Sequence, residues 1–311
     1  MSSKSYGVNM PNLIVGPSMS WLDEVLINNI KNEFPELHII KALHKDFPDG
    51  ESYIRIPVDT LNSDEVIILQ TLSPPQDKSF IQLLQMIDAS LNLGADKIVI
   101  FAPYLAYARQ DKVFLKGEPI SIRLLLTSIY AAGARFLFTV DIHNPDSLYL
   151  FPGKSFNLMP MHLLVKPLIN DKNSEDIVII APDKGALQRA KITAEAYNLN
   201  YDYLDKQRDR ITGEVVINDR EINVKNKTVV IIDDIISTGG TIALAAKKLY
   251  DKGAKAVHVA CSHALLVGDS YKKITSSGVK ELLSLNTLPP KPGVTYIDVI
   301  SWGIKQILET I

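Results

Sequence analysis

The chain has 311 residues, 46% of them hydrophobic and 22% charged, a balance that allows a sizeable core in one large or two ordinary domains. A formal net charge of −2 excludes a general nucleic-acid coat, which needs a basic excess, but leaves room for one local phosphate pocket. A single cysteine excludes an intramolecular disulfide. The start MSSKSYGVNM has no apolar signal-like stretch, and no apolar run approaches the roughly 18 residues of a membrane span, so a cytoplasmic location with no membrane partner is expected.

In chain order, short β-branched runs predict strands at 13–16, 38–43, 65–70, 97–104, 136–143, 176–183, 228–234, 256–265 and 279–286. Several are continuously apolar over four or five residues, which suits parallel sheets covered on both faces. Between them lie helical patterns, such as Phe80, Leu83, Leu84 and Ile87 at spacing i, i+3, i+4, i+7. Gly94, Gly133 and Gly253 each stand between a helical stretch and a strand, as C-cap glycines do. The phrases LGADKIVIF, AGARFLFTV and KGAKAVHVA repeat one helix–turn–strand joint, a hint of two related halves. The class is α/β: two similar doubly wound parallel-sheet domains with right-handed crossovers. Pro152, Gly153 and Pro160 predict a boundary, giving domains 1–153 and 154–295. LPPKPG at 288–293 is a second candidate linker, and 296–311 reads as a closing helix that docks back on the first domain. Cys261, inside the apolar run VHVACSHALL, reads as a buried, inert thiol.

The run TVVIIDD ends in Asp233 and Asp234, then ISTGGT leads into the helical IALAAKKLY. In open α/β sheets ligands sit beyond the carboxyl ends of the strands, and a helix N-terminus offers backbone N–H groups to a phosphate. Gly239 and Gly240 let the backbone approach closely, and Ser237, Thr238 and Thr241 add hydroxyl donors. Carboxylates cannot bind phosphate directly, so Asp233 and Asp234 would accept from sugar hydroxyls or meet hydrated Mg²⁺. Taken alone, the segment could also be a plain βα turn capped by Ser237 or Thr238 with solvated acids. It is not a Walker loop, because no lysine follows the glycines.

VVIIDDIISTGGT resembles the phosphoribosyl pyrophosphate-binding motif of the type I phosphoribosyltransferase fold, which serves transferases that consume this compound and the synthetase that makes it. APYLAYARQDK at 102–112, GEPIS at 117–121, FPDGE at 47–51 and VDIH at 140–143 resemble the ribose-phosphate pyrophosphokinase family, in order, over nearly the whole chain. The resemblance implies transfer of a diphosphoryl group from MgATP to the anomeric hydroxyl of ribose 5-phosphate. It makes 1–153 an ATP-side domain and 154–295 the domain for ribose 5-phosphate and pyrophosphate.

Residue by residue, the resemblance implies that Arg109 and Gln110 contact ATP. Asp49, Gly50 and Glu51 belong to a loop that reaches the ATP site of a neighbouring subunit, with Phe47 as an adenine-packing face, so a homo-oligomer is expected. His143 and Asp183 match metal-linked positions for Mg²⁺, and Lys184 to Arg189 the pyrophosphate loop. Lys206 and Arg208 match the cationic pair of the catalytic loop. Asp233 to Thr241 would hold ribose 5-phosphate. The chain departs from the commoner pattern at VFLKG (113–117), at Ser237 where an acid is usual, and at Ala186 where a second glycine is usual. GEPIS and STGGT look closer to an archaeal-like branch. A phosphoribosyltransferase and a non-catalytic regulatory relative are the alternatives.

Overall fold

The computed structural model describes residues 11–61, 65–169, 176–208, 215–218 and 220–311. It divides into two compact units, Met1–Leu158 with Ile300–Ile311, and Met159–Val299.

The first unit runs β1 (Asn12–Val15), α1 (Glu24–Glu33), β2 (His38–Lys41), β3 (Leu43–Asp46), β4 (Ser52–Arg55), β5 (Glu65–Leu69), α2 (Gln76–Asn92), β6 (Lys97–Ala102), α3 (Ser121–Ala132), β7 (Phe136–Val140) and β8 (Lys154–Leu158). Its main sheet is six-stranded, in the order β2-β1-β5-β6-β7-β8, and every pairing is parallel. β5, β6 and β7 are buried at all but their first residue, hence their continuous apolar runs. Edge strand β8 carries the mixed sequence KSFNL and is only half-buried, and it pairs with β7 over its whole length. The first unit therefore extends past the expected 153 to Leu158. In α2 the inward stripe is Ser79, Gln82, Leu83, Met86, Ile87 and Ser90, while Phe80 and Leu84 are half-buried.

The second unit runs α4 (Met161–Ile169), β9 (Ile177–Ala181), α5 (Leu187–Glu195), β10 (Asn200–Tyr203), β11 (Lys206–Arg208), β12 (Val215–Ile217), β13 (Thr228–Ile236), α6 (Gly240–Asp251), β14 (Ala256–Ala264), α7 (Ser270–Ser276), β15 (Leu282–Leu285) and β16 (Thr295–Ile297). Its parallel sheet has the order β10-β9-β13-β14-β15-β16. Numbered within each sheet, both orders read 2-1-3-4-5-6. Both units also insert an antiparallel hairpin between their second and third sheet strands, β3–β4 in the first and β11–β12 in the second. β16 pairs with β15, so LPPKPG is a connection inside this unit, which ends at Val299. The closing helix α8 (Ile300–Leu308) returns to the first unit against α1.

Several strand ends differ from expectation, three of them most clearly. β7 stops at Val140, because the chain turns at Asp141, which has φ +41°. β13 continues two residues past the acid pair, since Ile235 and Ile236 pair with His263 and Ala264 of β14. The run at 38–43 breaks after Lys41, and Leu43 opens the exposed hairpin instead.

Candidate functional site

The loop read as a sugar-phosphate cradle lies at the C-terminal end of β13. The half-buried Asp233 and the buried Asp234 still belong to the strand. Ser237 and Thr238 form the bend, and Gly239 is the N-cap of α6 at φ +73°. Two constraints demand glycine there. The backbone is left-handed, and an added Cβ would stand 2.9 Å from the Ser270 carbonyl oxygen and 3.0 Å from Ile274 Cγ1 of α7. Gly240 differs: a Cβ there would meet nothing within 4 Å. Since Gly239 has no side chain to cap α6, the first-turn N–H groups of that helix have no side-chain partner at the N-cap. The bend is braced from the other side, where Leu266 N–H donates to Ile236 O (3.0 Å) and Val267 N–H to Ser237 O (2.9 Å).

The acids meet a second loop of the same unit. Asp183 does not end β9, which stops at Ala181; it caps the next turn, accepting at Oδ1 from the N–H groups of Gly185 (2.9 Å) and Ala186 (3.3 Å). Lys184 and Gly185 are exposed, and Ala186 is buried. Six residues on, Arg189 in the first turn of α5 places its NH2 group 3.5 Å from Asp234 Oδ2, both side chains nearly out of solvent. Burial, the Asp234 carboxylate and the Asp183 charge together push the Asp233 carboxyl well above the usual range, while Arg189 pulls it down. Asp183 and Arg189 thus act on the same acid pair from one helix-turn. The Arg189 pairing was not foreseen. The signal in sequence is positional: Ala186, Ala190, Thr193 and Ala194 are the buried face of this segment, and Arg189 lies on it too. Cys261 is paired in register with Asp233 on β14, fully buried, with its thiol pushed up to about 12 chiefly by burial, which makes it inert.

The corresponding place in the first unit, at the ends of β1 and β5, is filled. Buried Gln70 follows β5 and accepts from the Ser18 N–H (3.2 Å), while its Nε2 donates to Ser79 O (3.1 Å). A Cβ on Gly16 would lie 2.2 Å from Gln70 Oε1. Among the described residues, the acid pair with a glycine bend occurs in the second unit alone.

The remaining first-unit candidates sit on its surface. Arg109 is exposed in the turn after β6, and Gln110 is half-buried. That turn is pinned at several points: Tyr107 has φ +64° and bonds Asp77, and Gln110 accepts from the Ser121 hydroxyl at the start of α3. Phe47, Asp49, Gly50 and Glu51 form the exposed tip of the β3–β4 hairpin. Asp49 Oδ1 accepts from the Glu51 N–H (3.2 Å), and Gly50 takes φ +94°. Phe47 packs edge-on against Tyr53 (6.0 Å), with Lys45 Nζ over both rings. His143 does not end its strand; it is exposed, three residues beyond β7. His143 and Asp183 lie in different units, and no group of three or more potential ligands gathers among the described residues. Lys206 and Arg208 are the backbone partners of Ile217 and Val215 in the second hairpin; their side chains and residues 209–214 lie outside what is described.

Two parallel sheets of identical strand order, one ending in an acid pair and a glycine bend at a helix N-terminus, define a tandem protein of the phosphoribosyltransferase fold. Comparison narrows the class. Residues 20–133 match the model for the N-terminal domain of ribose phosphate pyrophosphokinase, and 161–286 that for the phosphoribosyl transferase domain. The chain is 42% identical to the ribose-phosphate pyrophosphokinase of Sulfurisphaera tokodaii over 92% of its length and 97% of that protein's. It is 41% identical to that of Saccharolobus solfataricus, covering 94% and 97% of the two chains. The crystal structure of phosphoribosylpyrophosphate synthetase from Mycobacterium smegmatis superposes with a TM-score of 0.82 at 28% identity, covering 97% of this chain and 99% of that one. The chain belongs to the ribose-phosphate pyrophosphokinase family, a family of transferases.

Proposed function

We propose that this chain transfers the diphosphoryl group of MgATP to the anomeric hydroxyl of ribose 5-phosphate, giving 5-phosphoribosyl 1-pyrophosphate and AMP. The ribose O1 attacks the β-phosphorus of ATP. The bond from that phosphorus to the α,β-bridging oxygen breaks, AMP leaves, and the O1 proton passes to solvent. Catalysis of such a step is alignment plus neutralisation of charge on the phosphates.

The observation that carries the reading is the second unit's loop. The α6 N-terminus, opened by Gly239 and unobstructed at Gly240, suits the 5-phosphate, helped by the hydroxyls of Ser237, Thr238 and Thr241. Asp233 and Asp234 suit the ribose hydroxyls. A plain phosphoribosyltransferase would leave the first unit, with its own family match, without a task. There, Arg109 and Gln110 bind ATP, the guanidinium serving its phosphates. The exposed hairpin tip of Phe47, Asp49, Gly50 and Glu51 packs the adenine of ATP held by a neighbouring copy, making the enzyme a homo-oligomer. Lys206 and Arg208 stabilise the transferring diphosphoryl group.

Carboxylate oxygens suit Mg²⁺, and the mutual repulsion of Asp183, Asp233 and Asp234 is the environment a divalent cation relieves. Asp183 would hold such an ion beside the acid pair, His143 is the metal-linked candidate of the first unit, and a bound ion would neutralise phosphate oxygens. No helix among the described residues is long and apolar enough to cross a membrane.

The test is AMP release from ribose 5-phosphate and MgATP, with inorganic phosphate present. Ribose-dependent AMP supports the reading. Its absence, or exchange of a nucleobase with phosphoribosyl pyrophosphate instead, rejects it.

A further inference from the structure

We propose that Arg189 is a positioning residue for ribose 5-phosphate, holding the Asp234 carboxylate in its binding geometry without touching the substrate. This rests on the reading of Asp233 to Thr241 as the ribose 5-phosphate loop.

Arg189 and Asp234 come from different elements, the first turn of α5 and the C-terminal part of β13. Their side chains are only 10% and 6% exposed, with NH2 3.5 Å from Oδ2. A guanidinium so far from water needs an anion and a carboxylate so placed needs a cation, so removing either takes away a buried charge partner of the other. Arg189 is therefore held away from bulk solvent, where an arriving sugar phosphate would first meet the exposed Thr238 and Gly240.

The helix fixes the backbone that carries the guanidinium. Ala190, Thr193 and Ala194 of α5 are buried like Arg189, and Thr193 Oγ1 donates to the Arg189 carbonyl (2.8 Å). The acid pair needs such a clamp. The Asp234 and Asp183 charges both act against an ionised Asp233, and the Arg189 charge acts for it. Without Arg189, Asp234 would swing towards water, which removes a correctly aimed acceptor for a ribose hydroxyl. The planar, five-donor guanidinium also sets direction, which a lysine ammonium does not. The clamp links the turn at 183–189 to the ribose acids, so one side chain ties the two loops into one rigid rim.

The experiment measures kcat and the KM of each substrate for Arg189→Lys, Arg189→Met, Asp234→Asn and the charge-balanced double variant Arg189→Met/Asp234→Asn, with folding checked by circular dichroism. Arg189→Met should raise the ribose 5-phosphate KM by about tenfold or more, the scale of one charge-assisted contact, with kcat and the ATP KM moved much less. Arg189→Lys should fall between wild type and Arg189→Met. The double variant should bind ribose 5-phosphate no worse than Asp234→Asn alone, because the two residues act as one unit. If Arg189→Met fails to fold, Arg189→Lys and the double variant carry the comparison. A fall in kcat with an unmoved ribose 5-phosphate KM would make Arg189 a transition-state contact and overturn the proposal. So would full additivity in the double variant. If Asp234→Asn itself leaves the ribose 5-phosphate KM unchanged in an active enzyme, the loop assignment fails, a result distinct from failure of Arg189 alone.

Discussion

Gly303 of α8 lies so close to Phe101 of β6 that a Cβ on the glycine would stand 2.4 Å from the ring Cζ. Both residues are buried, and Phe101 is fully so. The C-terminal helix is thus seated on the first sheet by a contact only glycine permits. Two effects oppose each other in Gly303→Ala. Helix propensity favours alanine by about 1 kcal/mol, while overpacking a closed core costs about 1–3 kcal/mol. The Phe101 ring is fully buried, so the clash should win. Chemical denaturation should show Gly303→Ala to be less stable than wild type, and Phe101→Leu should partly restore it.

Gly239 and Gly240 are neighbours with opposite requirements. Gly239→Ala places a Cβ against Ser270 O in a left-handed backbone and should destabilise the second unit by about 1–3 kcal/mol. Gly240→Ala meets nothing and should leave the denaturation midpoint unchanged. If the phosphate approaches the α6 N-terminus as proposed, Gly240→Ala should still raise the ribose 5-phosphate KM. Equal effects of the two variants on stability would contradict the geometry.

Asp233 gives a pH dependence with a definite sign. Burial, then Asp234, raise its folded pKa above the unfolded value, so the folded state binds more protons between the two. Its contribution to stability is fully present below the unfolded carboxylate pKa and is lost as pH rises towards the folded one. Without ligands, Asp233→Asn should therefore be more stable than wild type at neutral pH. The difference should shrink as pH falls from the raised folded pKa towards the ordinary carboxylate range. The same variant should bind ribose 5-phosphate weakly. Melting curves across a pH series would test this, and an asparagine variant less stable at neutral pH would contradict it.

Lys206→Ala should lower kcat by about two orders of magnitude, the scale of losing one transition-state contact, while ribose 5-phosphate binding persists. Calorimetric titration with the sugar phosphate, beside steady-state rates, separates the two. Lost binding with unchanged turnover would remove Lys206 from the catalytic role.

The readable parts of the fold were those written in local pattern. Apolar runs such as VVII before Asp233 marked parallel strands, and the repeated helix–glycine–strand joints marked two like units. The loop from Asp233 to Thr241 was legible because its residues are contiguous. The hairpins were not foreseen. β3 is LHKD, exposed at every position, so it carries no apolar alternation and exists through its pairing with β4. The strand ends at His143 and Asp183 were misplaced because apolar content continues past the point where the backbone turns.

By itself, then, the sequence determined the class of sheet, the repeated unit and the family, and marked the contiguous candidate loop from Asp233 to Thr241. These depend on residue types at fixed short spacing, where backbone geometry leaves few choices. Only the tertiary structure decided that Gln70 closes the matching place in the first unit, that Gly303 seats the last helix on Phe101, and that Arg189 meets Asp234. Each joins residues tens to hundreds of positions apart. Such pairs are selected by burial, which removes water as the competing partner, and burial is a property of the folded chain.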